Sequence, residues 1–224
     1  MDTAAAALTL RLALVTTTLL LLAATPLALW IASGRSLSRR IAQAIVALPL
    51  VLPPTVLGFY LLVGLGPLTV FGRLLIRLIG HPLAFTFTGL VIGSVLFSLP
   101  FAVQPLVAGF TAVDPELIAT ARVLGASPWT VFRRVTAPLS RAAFLASIVL
   151  TFTHTIGEFG VVLMLGGDIP GVTRTLSIAI YDQVQESNYA AANHAALWLV
   201  ALSFLALLML YARNAAPREA DLAA

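Results

Sequence analysis

The chain has 224 residues, of which 60% are hydrophobic and only 10% charged, and a mean hydropathy of +1.01. Those values exclude an ordinary soluble domain and imply an integral membrane protein. It has no cysteine and three scattered histidines, which exclude a disulfide framework, thiol chemistry and a cysteine-ligated metal centre. The net charge of +4 comes entirely from arginine, and no basic and aromatic residues interleave on a polar face. The excess therefore fits the positive-inside bias of membrane loops, not nucleic-acid binding.

Apolar runs of about 20 to 26 residues recur along the chain, enough to cross ~30 Å of hydrocarbon as helices at ~1.5 Å per residue. The first runs from Leu8 to Ser33. It has no basic leader in front of it and is expected to be a retained helix. A second run, Ile41 to Leu65, contains Pro49, Pro53 and Pro54, which must interrupt the backbone ladder. Such a break is tolerated at membrane depth where protein or water covers the freed carbonyls.

Gly66 to Pro82 carries Arg73 and Arg77 at helical spacing among leucine and isoleucine, the pattern of an interfacial amphipathic helix. A third span, Ala84 to Phe110, holds glycines at 89, 93 and 109 and prolines at 100 and 105. A fourth is expected over Leu139 to Leu165 and a fifth over Ala191 to Tyr211, separated by a stretch too polar to cross. The expected fold is thus an all-α integral membrane protein of about five transmembrane helices. One transmembrane domain covers residues 8–212, and a polar tail covers 213–224.

Five spans put the termini on opposite sides of the membrane. Arg35, Arg39, Arg40, Arg122, Arg133, Arg134, Arg141, Arg213 and Arg218 then share one side, against Arg11, Arg73, Arg77 and Arg174 on the other. Nine against four places the loop at 114–138 and the C-terminus in the cytoplasm and the N-terminus outside.

That loop, DPELIATARVLGASPWTVFRRVTAP, is the longest conspicuously polar piece between two apolar runs. Asp114 before Pro115 and Ser127 before Pro128 are two helix-start signals on either side of Gly125, a helix stop. The spacing predicts two short helices with a hinge. Ala119, Thr120 and Ala121, then Gly125, then Val135 to Pro138 resemble the coupling motif of bacterial ABC-importer permeases, usually E-A-A, three residues, G, nine residues, I-x-L-P. Ala119 stands where that family most often has glutamate. Small residues at Ala119, Ala121 and Gly125 let a helix seat closely in a groove, with Leu117, Leu124, Trp129 and Phe132 available to fill it. Packing against the chain's own spans is the competing role for Trp129 and Phe132. Pro138 closes the motif.

Four further stretches extend the resemblance: LPLVLPPTVLGFYLLVGLG, ARVLGASPWTVFRRVTAP, GEFGVVLMLGGDIPG and TRTLSIAIYDQVQ. They are similar to molybdate permeases of the binding-protein-dependent, type I importer family, and sulfate and tungstate permeases share much of the pattern. The resemblance implies a permease in the bacterial cytoplasmic (inner) membrane, acting as a homodimer with separate ATPase subunits and an extracytoplasmic oxyanion-binding protein. ATP and magnesium belong on the ATPase, since this chain has no G-x-x-x-x-G-K-[ST] phosphate loop and no cofactor of its own is expected. A self-contained secondary transporter is the alternative from another class, but no inverted repeat is visible. An enzyme would need a nucleophile and base at credible spacing, and none is found.

For a tetrahedral oxyanion the sequence offers hydroxyl donors at Thr151, Thr153 and Thr155 in the fourth span, with helix-ladder bonding as their competing role. Arg174 lies on the outer side and could attract the anion, meet the binding protein or be an ordinary loop arginine. His154 and Glu158 stand four residues apart, so a continuous helix would bring them together on one face. A structural hydrogen bond near the outer gate is the expected role for Glu158, with proton coupling the alternative.

Overall fold

The computed structural model describes residues 2–214, and residues 215–224 of the expected tail, Arg218 among them, lie outside the described residues. Among the described residues every regular element is helical. In order they are α1 (Thr3–Ala32), α2 (Leu37–Val51), α3 (Pro54–Leu65), α4 (Val70–Ile79), α5 (Phe87–Thr111), α6 (Pro115–Val123) and α7 (Pro128–Val131). A π-helical turn (Phe132–Thr136) follows, then α8 (Ala137–Leu139), α9 (Arg141–Ile156), α10 (Gly160–Gly166), α11 (Leu176–Gln185) and α12 (Tyr189–Asn214). Among the described residues three helices, α1, α5 and α12, are long and apolar enough to cross a membrane unbroken, and two bent pairs bring the number to as many as five if each pair counts as one span.

The second span is one of these pairs. Pro53 and Pro54 lack the N–H groups that would continue α2, so its ladder ends at Leu52 and α3 restarts with Pro54 at its first position. The resulting turn of 111° is far more than a kink, whereas Pro49 stays inside α2. The other pair bends by 73° at Ser140, between the cytoplasm-expected loop and α9. The expected single helix from Leu139 to Leu165 also breaks between Ile156 and Gly160, because Gly157 ends α9 and α10 starts afresh. The segment expected at the interface forms α4, capped by the Thr69 hydroxyl at one end and by Gly80 at φ +88° at the other.

The bundle is organised around α1, α5 and α9. Lipid is as apolar as these side chains, so helix association rests on close packing rather than on expulsion of water. Small residues supply it: Ala13, Ala24, Ala28 and Ala102 are completely buried, and a methyl group added at Gly109 of α5 would overlap the Ala143 side chain of α9. One apolar cluster joins Leu20, Ala24, Ile31, Val46, Leu106 and Phe110 from α1, α2 and α5. Another joins Leu12, Leu90, Val162 and Ile178 from α1, α5, α10 and α11. Together they fix the polarity of the bundle. The start of α1 lies with α11, and the end of α1 lies with the end of α5 and the 114–138 loop.

Candidate functional site

The 114–138 loop forms the two expected helices. The Asp114 carboxylate accepts the Glu116 N–H at 2.8 Å, and the Ser127 hydroxyl accepts that of Thr130 at 3.2 Å. Between them α6 ends in a Schellman turn. Gly125 at φ +82° donates to the Arg122 carbonyl at 2.9 Å, and Ala126 donates to that of Ala121 at 3.0 Å. A Cβ at Gly125 would meet nothing within 4 Å, so glycine is required here for its left-handed backbone and not for space.

No side chain of α6 is buried, which leaves the helix as a projecting arm. Leu117, Leu124 and Trp129 are exposed, Leu124 by 81% and Trp129 by 67%. Val123, which the sequence pattern did not single out, is exposed by 87% beside Leu124. Ala119, Gly125 and Pro138 are exposed and Ala121 is half-buried on the same arm. Phe132 does otherwise. Its ring stands 6.4 Å edge-on from Phe110, and it packs against the apolar cluster at the end of α1 and α5. Trp129 and Phe132 therefore divide the two roles open to them, with Trp129 outward and Phe132 inward, their rings 5.5 Å apart.

Two features join this arm to the spans. Pro138 has no N–H for the carbonyl four residues back, and the chain upstream widens into the π-helical turn instead of breaking. Ser140, at the bend, is buried and donates its hydroxyl to the Gly109 carbonyl of α5 at 3.2 Å. Nothing in its local sequence distinguishes Ser140 from other loop serines, because its partner is 31 residues away.

The threonines of α9 lie on two faces. Thr151 and Thr155 are buried against the bundle and Thr153 is half-buried on another side. Thr153 and Thr155 donate to ladder carbonyls, Val149 and Thr151 respectively, each at 2.8 Å. The Thr151 hydroxyl has no partner among the described residues. His154 and Glu158 do not pair, since the break at Gly157 removes the helical register that would align them. His154 instead shares a 2.9 Å hydrogen bond through Nδ1 with Ser98 and stacks on Phe101 at 3.9 Å. Glu158 is 3% exposed, and neither carboxyl oxygen has a hydrogen-bond partner among the described residues. Its backbone carbonyl accepts the Ser177 hydroxyl of α11 at 2.6 Å, tying the break to the returning helix.

On the opposite face from the loop, Arg174 forms a two-pronged ion pair with Asp168, Nη2 to Oδ2 at 2.7 Å, and reaches Asp182 at 3.4 Å. Hydrogen bonding from Arg174 holds the Asp168 carboxyl below its ordinary value. Partial burial, with the neighbouring Asp168 carboxylate, pushes Asp182 up. Arg174 is thus engaged by the chain's own carboxylates, which makes it a clasp between the α10–α11 loop and α11.

A bundle of broken apolar helices with a projecting two-helix arm defines a membrane permease subunit. The family model described as binding-protein-dependent transport system inner membrane component matches residues 24–217, and the chain belongs to that family. It is 51% identical over 210 residues to the molybdenum transport system permease protein ModB of Azotobacter vinelandii, covering 94% of this chain and 93% of that one. It is 34% identical over 172 residues to ModB of Escherichia coli K12, covering 76% and 75%. Among solved structures, a bacterial alginate ABC transporter in complex with an alginate pentasaccharide-bound periplasmic protein superposes with a TM-score of 0.75. It covers 93% of this chain and 76% of that one at 20% identity, a likeness of fold.

Proposed function

We propose that this chain is the membrane permease of an ATP-driven importer that carries molybdate across the bacterial cytoplasmic membrane, with the 114–138 loop and the C-terminus inside. The observation that carries the substrate is the 51% identity, over 94% of the chain, to a relative named as a molybdenum permease. The arm is the coupling element. Leu117, Val123, Leu124 and Trp129 present an apolar docking surface to a separate ATPase subunit, which binds ATP and magnesium, while Phe132 and Ser140 carry its displacement into α5 and α9. A second copy of the chain completes the pathway, and an extracytoplasmic binding protein delivers the anion. The periplasmic protein in the alginate transporter complex supports a partner of that kind.

Transport requires two arrangements of the spans, each stabilised in turn by what the ATPase does to the arm. The breaks at Pro53, Ser140 and Gly157 are where the bundle absorbs that change. Uptake of labelled molybdate by the reconstituted complex, with tungstate and sulfate as competitors, tests the reading. Sulfate competes poorly if it is right; strong competition by sulfate overturns the molybdate assignment.

A further inference from the structure

The short helix α4 is seated on the end of α3, beside the start of α5. Gly72 is buried, and a Cβ there would overlap the Gly66 carbonyl. The Thr69 hydroxyl accepts the Gly72 N–H at 2.9 Å and donates to the Gly64 carbonyl at 2.7 Å, while Leu75 packs on the cluster of Leu65 and Leu83. One side of α4 is therefore fastened to the bundle.

At ~100° per residue the fastened residues Gly72, Leu75 and Ile76 occupy one sector of the helix. Val70, Phe71, Leu74 and Leu78 occupy a second, about 100° wide. Each of these four is at least 54% exposed. Arg73 and Arg77, both exposed, lie one turn apart along an edge of that stripe. Arg73 Nη1 donates to the Pro67 and Leu68 carbonyls at 3.2 and 3.4 Å, which orients the guanidinium, and its Nε and Nη2 make no hydrogen bond among the described residues. A helix fastened along its back, with large apolar side chains turned one way and cations the other, has the division of surface that fits the boundary between acyl chains and headgroups.

Four large apolar side chains side by side need a covering that is always there. A protein that docks and leaves would return them to water in every cycle, whereas lipid does not leave. A second copy of α4 across a two-fold axis would set arginine against arginine, since no Asp or Glu occurs from Thr3 to Val113 to answer them. Phosphate suits two guanidiniums one turn apart, because each presents paired N–H donors to its oxygens.

We propose that α4 is a site for an anionic phospholipid. Val70, Phe71, Leu74 and Leu78 enter the acyl layer and Arg73 and Arg77 hold the headgroup phosphate, which ties the end of the broken second span to the bilayer surface. The site does not depend on which anion the permease carries.

The chain has no cysteine, so Leu78→Cys places one fluorophore on the stripe in the full chain, in the complex with its ATPase. The complex is reconstituted in phosphatidylcholine vesicles that contain a minor fraction of lipid brominated in its acyl chains. Brominated phosphatidylglycerol quenches the probe more strongly than brominated phosphatidylcholine, and aqueous iodide reaches it less than the same probe at Gln185→Cys, an exposed polar position on α11. Arg73→Gln or Arg77→Gln lowers the preference for phosphatidylglycerol about fivefold, the worth of one cation near an anionic surface, and the double change removes most of it. Arg73→Lys and Arg77→Lys, which keep the charge, retain more of the preference than the glutamine variants. Equal quenching by the two lipids, or a preference that survives both glutamine changes, overturns the site. Absence of lipid quenching, with iodide reaching the probe until the binding protein is added, also overturns it, by making α4 a protein-docking face. Cross-linking of Leu78→Cys between two copies overturns it in favour of self-contact. Loss of the preference on adding millimolar inorganic phosphate overturns it by assigning the arginines to a soluble anion.

Discussion

Replacing Gly125 with alanine isolates the Schellman turn of the arm from everything around it. Because a Cβ there meets nothing within 4 Å, the cost is purely conformational. An L-residue held at φ +82° pays about 1–2 kcal/mol, and asparagine, whose side chain tolerates that region, less. No side chain of α6 is buried to compensate, so the penalty falls on local stability and shifts the closed-to-open ratio of the turn by about 5- to 30-fold. Hydrogen exchange at the amides of Gly125 and Ala126, which close the turn onto Arg122 and Ala121, reads that ratio directly. Exchange accelerates by that factor in Gly125→Ala and only slightly in Gly125→Asn, with ATPase association weakening in the same order. Wild-type exchange in Gly125→Ala would refute the conformational argument. Accelerated exchange with undiminished ATPase association would show that the arm is a connector and not a docking element. Gly125→Arg, which adds bulk to the exposed surface, abolishes association while leaving membrane insertion intact.

Two further predictions concern the other end of the molecule. Glu158→Gln keeps the size of the buried side chain and its backbone tie to Ser177, so membrane level and molybdate uptake are preserved; uptake lost at normal membrane level would mean that the carboxyl itself takes part in transport. Arg174→Gln opens the Asp168 clasp, and amide exchange over 168–176 rises at neutral pH. In the wild-type chain the same loosening comes only with acid. The Asp168 pKa is held below its ordinary 3.8, so the clasp is fully present above that value and is lost as pH falls through the lower folded one. With Asp182, whose carboxyl is pushed up, replaced by Asn, protection corrected for the intrinsic pH dependence of exchange stays level from pH 7 to 5; a fall across that range would contradict this, because Asp168 stays ionised there.

Much of this protein was legible without coordinates because the relevant physics is local. Runs of apolar residues long enough to cross a membrane, prolines that end a backbone ladder at Pro53, and the Asp114 and Ser127 caps around Gly125 each depend on neighbours a few residues away. The apolar helices, the break after α2 and the two-helix arm follow from them. Matters that depend on which helix lies beside which were decided by tertiary structure. Trp129 and Phe132 are equivalent as sequence, yet the second packs edge-on against Phe110 and the first is left exposed. Spacing aligned His154 with Glu158 only for an unbroken helix, and the break at Gly157 gave His154 to Ser98 and left the Glu158 carboxyl buried with no hydrogen-bond partner among the described residues. Arg174 became a clasp once the loop folded Asp168 and Asp182 around it. Gln43 and Gln104 came to line one groove only when α2 packed on α5, since which residues of two helices meet is a property of packing that no single stretch of chain contains.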